Sequence, residues 1–598
     1  MRKVIFIGID GMDPKLTESM MDAGKLPNFA RLRETGCYRR LETVSPPQSP
    51  VVWASIATGC NPGEHGVFDF IHRNPENYLP YLSILQLEKF RYTSPVKVPT
   101  FWERDAEQGI SAVVLKWPVA FPPGRIKGRI MAGLGVPDIR GTLGLYTLFT
   151  SDASAADGKK KGRIIPVSIA SNQIHPTHHL SSSIQTEIPG PFAASLKGKK
   201  EATAPLLIEL GAGEITCQIG KEYFTLREGC WSDWICVKFD IGFFRTVAGN
   251  CRFFLKSIGP EFSLYMTPVN VDYDSMEFQF TYPREYAREL QKVIGRYATL
   301  GMAEDTNALN DGVLSDDAFI ALCDSLMDER ERMFEYEFAR FDEGILACVF
   351  DTTDRIQHMF WRAIDITHPL YDSKLSARYG DVIASYYRRM DRIIGGILDR
   401  ISADTSLLIC SDHGFAPFKR EVHLNSWLVE QGFMVLKDGI HSDGLFEGVD
   451  WGSTRAYAVG LTSLYLNVKG REGKGILEAG EIRQVKADLR SRLLAVEDKG
   501  ERVINQVHDS EGLYSGDQSS KAPDLVVGYG IGYRGSWQTA IGGVPVGDVI
   551  TDNMKKWSGD HCCDGALVPG VFFCNRADLA PSEHVQDIVR WIGDARNA

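Results

Sequence analysis

A chain of 598 residues with 44% hydrophobic and 24% charged side chains has the means to bury a large core, which excludes a disordered protein. Its net charge of -11 gives no electrostatic case for a nucleic-acid partner, but a small anionic substrate at a metal-charged site stays open. The twelve cysteines form no CxxC pair, and Cys348 and Cys410 lie inside apolar runs, so a disulfide framework or zinc knuckle is excluded and a reducing compartment is expected.

The first apolar run, Val4 to Ile9, is rich in β-branched residues and reads as a buried strand closed by Asp10. It is too short for the core of a secretory signal. No segment approaches 18 apolar residues, so no membrane span is expected and the expected location is cytoplasmic. A helical stretch near 14–35, ended by Gly36, follows. Ser49 to Gly59 reads as a helix with Ser49 as N-cap, Pro50 at the first helical position and Gly59 as the stop. A helix near 100–108 precedes a strand at 111–116 that ends on Lys116. This βαβ texture predicts an α/β fold, with a mainly parallel sheet covered by helices on both faces.

The texture changes near residue 145. Residues 151–163 are polar and small and read as a linker. Ile235 to Asp240 alternates apolar and polar residues, and similar short runs lie near 214–227, 251–257 and 262–271. A β-rich insertion at 146–275 is therefore expected, interrupting a catalytic core made of 1–145 and 276–598. Such an insertion could form a cap over the site, and substrate selection is the expected role. Helices are expected at 317–342 and 374–402, strands at 345–350, 405–410 and 524–527, and a last helix from about 582.

Two more strands end like the first. Asp351 closes Ile345 to Phe350, with Asp354 and His358 just after it, and Asp412 and His413 follow Leu407 to Ser411. Ligands of open α/β sheets bind outside the carboxyl ends of the strands, so three strands deliver carboxylates and imidazoles to one edge. On a helix, Asp354 and His358 at i and i+4 share a face and can share a cation. Asp412 and His413 converge only in a turn, which Gly414 favours. Ser49 has two readings, a simple helix cap or a nucleophile at a helix N-terminus that needs an activator. His561 sits in the loop Trp557 to Gly565. His178, His179, His441 and His584 have no comparable setting and read as surface or structural.

The set Asp10, Ser49, Asp354/His358, Asp412/His413 and His561 resembles the alkaline phosphatase superfamily. It is most similar to the type I phosphodiesterase/nucleotide pyrophosphatase branch and the related predicted phosphohydrolase/phosphomutase group. Ser49 to Gly66 is similar to that branch's nucleophile helix and the Pro-x-x-His-Gly turn after it. The resemblance implies an alkaline phosphatase-like core and two divalent metal ions, usually zinc, with manganese suited to the same mixed N/O ligands. Asp354, His358 and His561 would hold one ion. Asp10, Asp412, His413 and the Ser49 oxygen would hold the other. Asp351, one helical turn before Asp354, is a fallback ligand or equally an acceptor for a ligand histidine. The implied activity is hydrolysis of a phosphate ester, mono- or diester, through a phosphoserine at Ser49.

One position departs from the pattern. Nucleotide pyrophosphatases carry an asparagine three residues after the nucleophile to hold a phosphoryl oxygen, and here that position is Val52. Lys116 is the first candidate to replace it, with Arg362 and Arg534 behind. A phosphomutase using the same serine is the alternative reading, and a non-catalytic binding protein on the same scaffold is a third. A sulfatase would need a C/S-x-P-x-R context that Ser49 to Trp53 lacks. The expected partner is a small-molecule phosphate ester, with no nucleic acid polymer, while the substrate's identity and the oligomeric state stay open.

Overall fold

The computed structural model describes residues 3–597, apart from 89–90, 157–159, 175–179, 196–197, 243–244, 260, 276–277 and 579–582. His178 and His179 lie outside the described residues. The chain forms two compact units. The first comprises residues 1–120, 124–128 and 340–598, and the second 121–123 and 129–339.

In the first unit, six strands form the part of the sheet that carries the acidic strand ends: β1 (Lys3–Ile9), β2 (Cys37–Leu41), β3 (Ala112–Trp117), β4 (Ile345–Phe350), β5 (Thr405–Cys410) and β6 (Gly570–Cys574). Their order is β2-β6-β5-β1-β4-β3. β1 pairs in parallel with β4 and β5, and β4 in parallel with β3. β6 runs antiparallel to both β5 and β2, so the sheet is mixed rather than mainly parallel. The antiparallel strand comes from the last fifth of the chain, where no apolar run next to a crossover helix signalled it. Every residue of β3, β4 and β5 is buried, as continuous apolar runs demand.

Register fixes the level of the acids. Ile9 lies opposite Phe350 and Gly8 opposite Cys410, so Asp10, Asp351 and Asp412 leave the sheet at one height.

The helices differ from expectation where the chain has a breaker. The stretch 14–35 is two helices, α1 (Pro14–Asp22) and α2 (Pro27–Thr35), because Pro27 lacks an N–H and opens a new helix. α3 spans Ser49–Thr58, and Gly59 ends it in the left-handed conformation, φ 70°. Gln48 is its N-cap, so Ser49 is the first helical residue and not the cap. α4 is Thr352–Phe360. The stretch 374–402 divides into α5 (Ser373–Tyr379) and α6 (Val382–Leu398) at Gly380. The last helix, α7, starts at Ile588.

Smaller sheets complete this unit. Ala416–Val422 pairs with Gly532–Gly535, Ile550–Asp552 and Gly559–Asp560. Leu525–Tyr529 sits between Ser463–Leu466 and Ile504–Asp509.

The second unit contains a five-stranded antiparallel sheet running from Ala170–Ile174 to Glu222–Arg227, and an antiparallel pair of Ile235–Asp240 with Thr246–Cys251. Alternate residues such as Ile184, Ile188, Leu206, Ile208, Val237 and Phe239 form one core. Its longest helix, Asp316–Phe338, starts where the Ser315 side chain accepts from the Ala318 N–H. Among the described residues, no helix is long and apolar enough to cross a membrane.

Candidate active site and metal centre

The strand ends and α3 bring one half of the site together. Gly8 lets α3 approach β1, since a Cβ there would lie 2.4 Å from the Trp53 ring. The Trp53 indole N–H then donates to Asp10 Oδ2 at 3.0 Å. One turn earlier on α3, Ser49 Oγ lies 3.3 Å from Asp10 Oδ1 and 3.1 Å from His413 Nε2. Asp412 accepts from the Gly11 N–H at 3.1 Å through Oδ1 and turns Oδ2 to within 3.1 Å of His413 Nε2.

The other half is built on α4 and the loop at 557–562. Asp354 and His358 share a helix face, with His358 Nε2 3.3 Å from Asp354 Oδ1. His561 Nε2 lies 3.6 Å from the same oxygen. The two halves meet where the His413 and His561 rings stack, centroids 3.5 Å apart. All seven residues expected to carry the chemistry, Asp10, Ser49, Asp354, His358, Asp412, His413 and His561, are thus gathered and buried.

The three imidazoles are held alike. His358 Nδ1 lies 2.7 Å from the Gly559 carbonyl, His413 Nδ1 3.0 Å from the Gly414 carbonyl and His561 Nδ1 2.6 Å from the Pro47 carbonyl. A carbonyl only accepts, so each Nδ1 carries the proton and each Nε2 offers a lone pair inward. Those lone pairs face carboxylate oxygens at 3.1–3.6 Å. Asp354 Oδ1 and Asp412 Oδ2 are buried and accept no hydrogen bond from any described residue. Lone pair against lone pair is repulsive, so a cation belongs between them: a proton on the imidazole or a metal ion. Among the described residues, the ligand atoms of Asp354, His413 and His561 lie within 4.8 Å of one another, as do those of Asp10, Asp412 and His413, and of Asp560, His561 and Cys562. The donor set therefore fits divalent metal.

The protonation equilibria show the same tension. Burial, then the charges of Asp412 and Asp354, push the Asp10 carboxyl well above the usual range. Burial works the same way on Asp354, but the charges of His358 and Arg355 outweigh it and hold that carboxyl low. Burial disfavours the charged form of His413, and the Asp412 carboxylate overcomes it and raises the imidazole. His561 is driven well below its usual value by burial and by His413.

Three basic residues were candidates for holding a phosphoryl oxygen. Lys116 is buried at the end of β3 with φ 56°, a strained value for a lysine. Arg362 donates from Nε to the Met359 carbonyl at 3.0 Å. Arg534 donates to Asp560 Oδ2 at 2.6 Å. Asp351 is buried at the N-cap of α4, and its charge contributes to raising Asp10.

The sequence of this chain from 4 to 173 and from 261 to 536 matches the model of the type I phosphodiesterase/nucleotide pyrophosphatase family. The chain belongs to that family. It is therefore an enzyme of the alkaline phosphatase superfamily, a phosphohydrolase acting on phosphate esters. The matched residues include Asp10, Ser49, Asp354, His358, Asp412 and His413, while His561 lies beyond them. No curated protein matches the chain significantly. Among solved structures, phosphonoacetate hydrolase from Sinorhizobium meliloti 1021, in complex with phosphonoacetate, is 13% identical with a TM-score of 0.47, over 99% of this chain and 95% of that one. Murine ectonucleotide pyrophosphatase/phosphodiesterase 5 in an inactive form with AMP is 10% identical with a TM-score of 0.41, over 100% and 95%.

Four residues of this phosphohydrolase site escaped the sequence reading. Arg355 pairs with Asp354 Oδ2, Trp53 holds Asp10, Trp557 stacks on His358 with centroids 3.7 Å apart, and Asp560 binds Arg534. Arg355 was findable, as the residue beside a helix-borne ligand. Asp560 and Trp557 flank His561 in sequence, but nothing local distinguishes them from ordinary loop residues.

Proposed function

We propose that this phosphohydrolase cleaves a small phosphate ester through a phosphoseryl intermediate at Ser49, with two divalent metal ions. The observation that carries this reading is the convergence of three Nδ1-anchored imidazoles on carboxylate oxygens that lack donors, beside a serine hydroxyl. Asp354, His358 and His561 would hold one ion, and Asp10, Asp412, His413 and Ser49 Oγ the other. Zinc suits these mixed nitrogen and oxygen donors, with manganese next. When bound, the ions supply positive charge for the attacking and leaving oxygens of an in-line displacement.

The chain's own residues do the rest. Ser49 Oγ, at the first position of α3, is in the positive field of the helix N-terminus, which favours its anionic form. Asp10 Oδ1 and His413 Nε2 both lie within reach of its proton. Ser49 Oγ gives that proton to one of them and attacks phosphorus, and the ester oxygen leaves and takes the proton up as the alcohol. Water then cleaves the Ser49–phosphorus bond, regenerating the serine and releasing phosphate from a monoester or a phosphate monoester from a diester. Val52 is fully buried and has no side-chain donor for a phosphoryl oxygen. Lys116 is our proposed donor, because it is a buried cation at the same sheet edge, with Arg362 and Arg534 behind it.

The test is elemental analysis of the purified protein together with turnover of p-nitrophenyl phosphate and bis-p-nitrophenyl phosphate, for wild type and Ser49→Ala. Two ions per chain and turnover that vanishes in the variant are expected, and the preferred ester assigns mono- or diesterase specificity. A protein without metal, or a Ser49→Ala variant with wild-type turnover, would sink the proposal.

A further inference from the structure

The loop 557–562 does more than deliver His561. Its Gly559 carbonyl accepts a hydrogen bond from His358 Nδ1, and Trp557 stacks on the same ring. Ser558 donates its N–H to the His358 carbonyl at 2.6 Å. The loop therefore sets the direction of both imidazoles proposed for one ion.

The loop is in turn organised by Asp560. Its Oδ1 accepts the N–H groups of His561 and Cys562, both at 2.8 Å. Its Oδ2 accepts the Trp557 indole N–H at 2.7 Å and Arg534 Nη1 at 2.6 Å. A carboxylate offers about four acceptor positions, and four donors fill them. Asp560 thus has no lone pair left for a metal, although it lies within ligand distance of His561 and Cys562. That separates it from Asp354 and Asp412, whose inward oxygens have no donor.

The charge on Asp560 is matched by a buried cation. Arg534 is 1% exposed, lies 4.7 Å over the Phe418 ring and 4.6 Å over the Trp537 ring, and donates from Nε to the Gly535 carbonyl. Held between two aromatic faces, the guanidinium meets Asp560 in one orientation.

We infer that Asp560, held by Arg534, is a positioning residue for the metal ion of His358 and His561. The inference rests on the two-metal reading above. Asp560 touches neither substrate nor ion; it fixes the backbone that carries His561 and, through Trp557, the ring of His358. Partners of this kind commonly set metal affinity by about 10- to 100-fold.

The experiment is calorimetric titration of Zn2+ into chelator-treated, full-length protein, for wild type, Asp560→Asn and Trp557→Phe, with near-ultraviolet circular dichroism to verify folding. Asp560→Asn keeps an acceptor for the two backbone N–H groups and loses the charge facing Arg534. One of the two sites should weaken by about 10- to 100-fold, the other should stay unchanged, and turnover should return at saturating Zn2+. Trp557→Phe keeps a ring over His358 and removes one donor, so the same site should weaken by a smaller factor, and this variant decides the matter if Asp560→Asn does not fold. A folded variant that binds both ions as wild type does, or that loses both equally, overturns the inference and leaves the two-metal reading standing. Wild-type protein that binds no Zn2+ overturns both.

Discussion

Two sets of fully buried carboxylates lie in the same unit and have opposite surroundings. Asp69 accepts from the N–H groups of Ile71, Leu461 and Thr462 and from the hydroxyls of Thr462 and Ser463. At the strand ends, Asp354 Oδ1 and Asp412 Oδ2 have no donor and point at imidazole nitrogens. Burial raises the Asp69 carboxyl and those donors offset part of the rise, whereas beside Asp10 the neighbouring carboxylates add to the effect of burial. Burial by itself therefore does not mark a working acid. What marks it is an acceptor that the protein buries and then leaves unsatisfied.

The largest effect that sharpens this contrast belongs to Ser49. Ser49→Ala should cut turnover by at least about 10³-fold while zinc content is unchanged, because the alanine removes the nucleophile and leaves the carboxylate and imidazole ligands. Turnover surviving that change would move the chemistry away from the strand ends. Asp69→Ala should behave in the opposite way. It strands several buried donors at once and should cost about 3 kcal/mol or more in urea unfolding, with metal stoichiometry at the wild-type level. Loss of metal in that variant would break the contrast.

Asp305, in the second unit, is an intermediate case. Its carboxyl is buried and accepts from the Ala308 N–H and the Tyr265 hydroxyl, and burial lifts it from 3.8 to about 6. The folded value exceeds the unfolded one, so the folded state holds the extra proton between them. Its contribution is complete below about pH 4 and is lost as pH rises through about 6, amounting to about 3 kcal/mol. Asp305→Asn should flatten that part of the stability profile, and an unchanged slope in urea titrations at pH 4 to 7 would count against the assignment. The smallest effect is expected from Asp412→Asn in metal-free protein. Removing one of the crowded charges should stabilise that form by about 1 kcal/mol. Added zinc should reverse the order, since an ion at a hundred times its Kd stabilises wild type by about 2.7 kcal/mol. Thermal melts with and without chelator read both signs.

Much of the strand-end cluster was legible because each acid follows an apolar run, and a buried strand has nowhere to end but an edge of its sheet. β1, β4 and β5 are read directly from such runs, and Asp354 and His358 from helical spacing. The antiparallel β6 was not legible, because strand direction depends on where the preceding chain has been and not on the strand's own residues. The breaks at Pro27 and Gly380 were visible as residue types but were overridden by long helical periodicity. Ser49 moved from cap to first helical residue because Pro50 is as acceptable at the second position as at the first. Most of the surroundings of Asp69 were beyond reach, since its donors Leu461, Thr462 and Ser463 lie 392 to 394 residues away. Asp560 was hidden for a different reason: three of its donors are close in sequence, but its partner Arg534 lies 26 residues away and the His358 ring that its loop holds belongs to another element.

The bond between His561 Nδ1 and the Pro47 carbonyl joins residues 514 apart. Pro47 is two residues before Ser49, so the segment that presents this serine is clasped by a loop more than five hundred residues further along the chain. During synthesis, Asp10 and Ser49 emerge more than five hundred residues before the histidine that packs beside them. A nascent or truncated chain ending short of residue 561 would carry the serine without its finished surroundings.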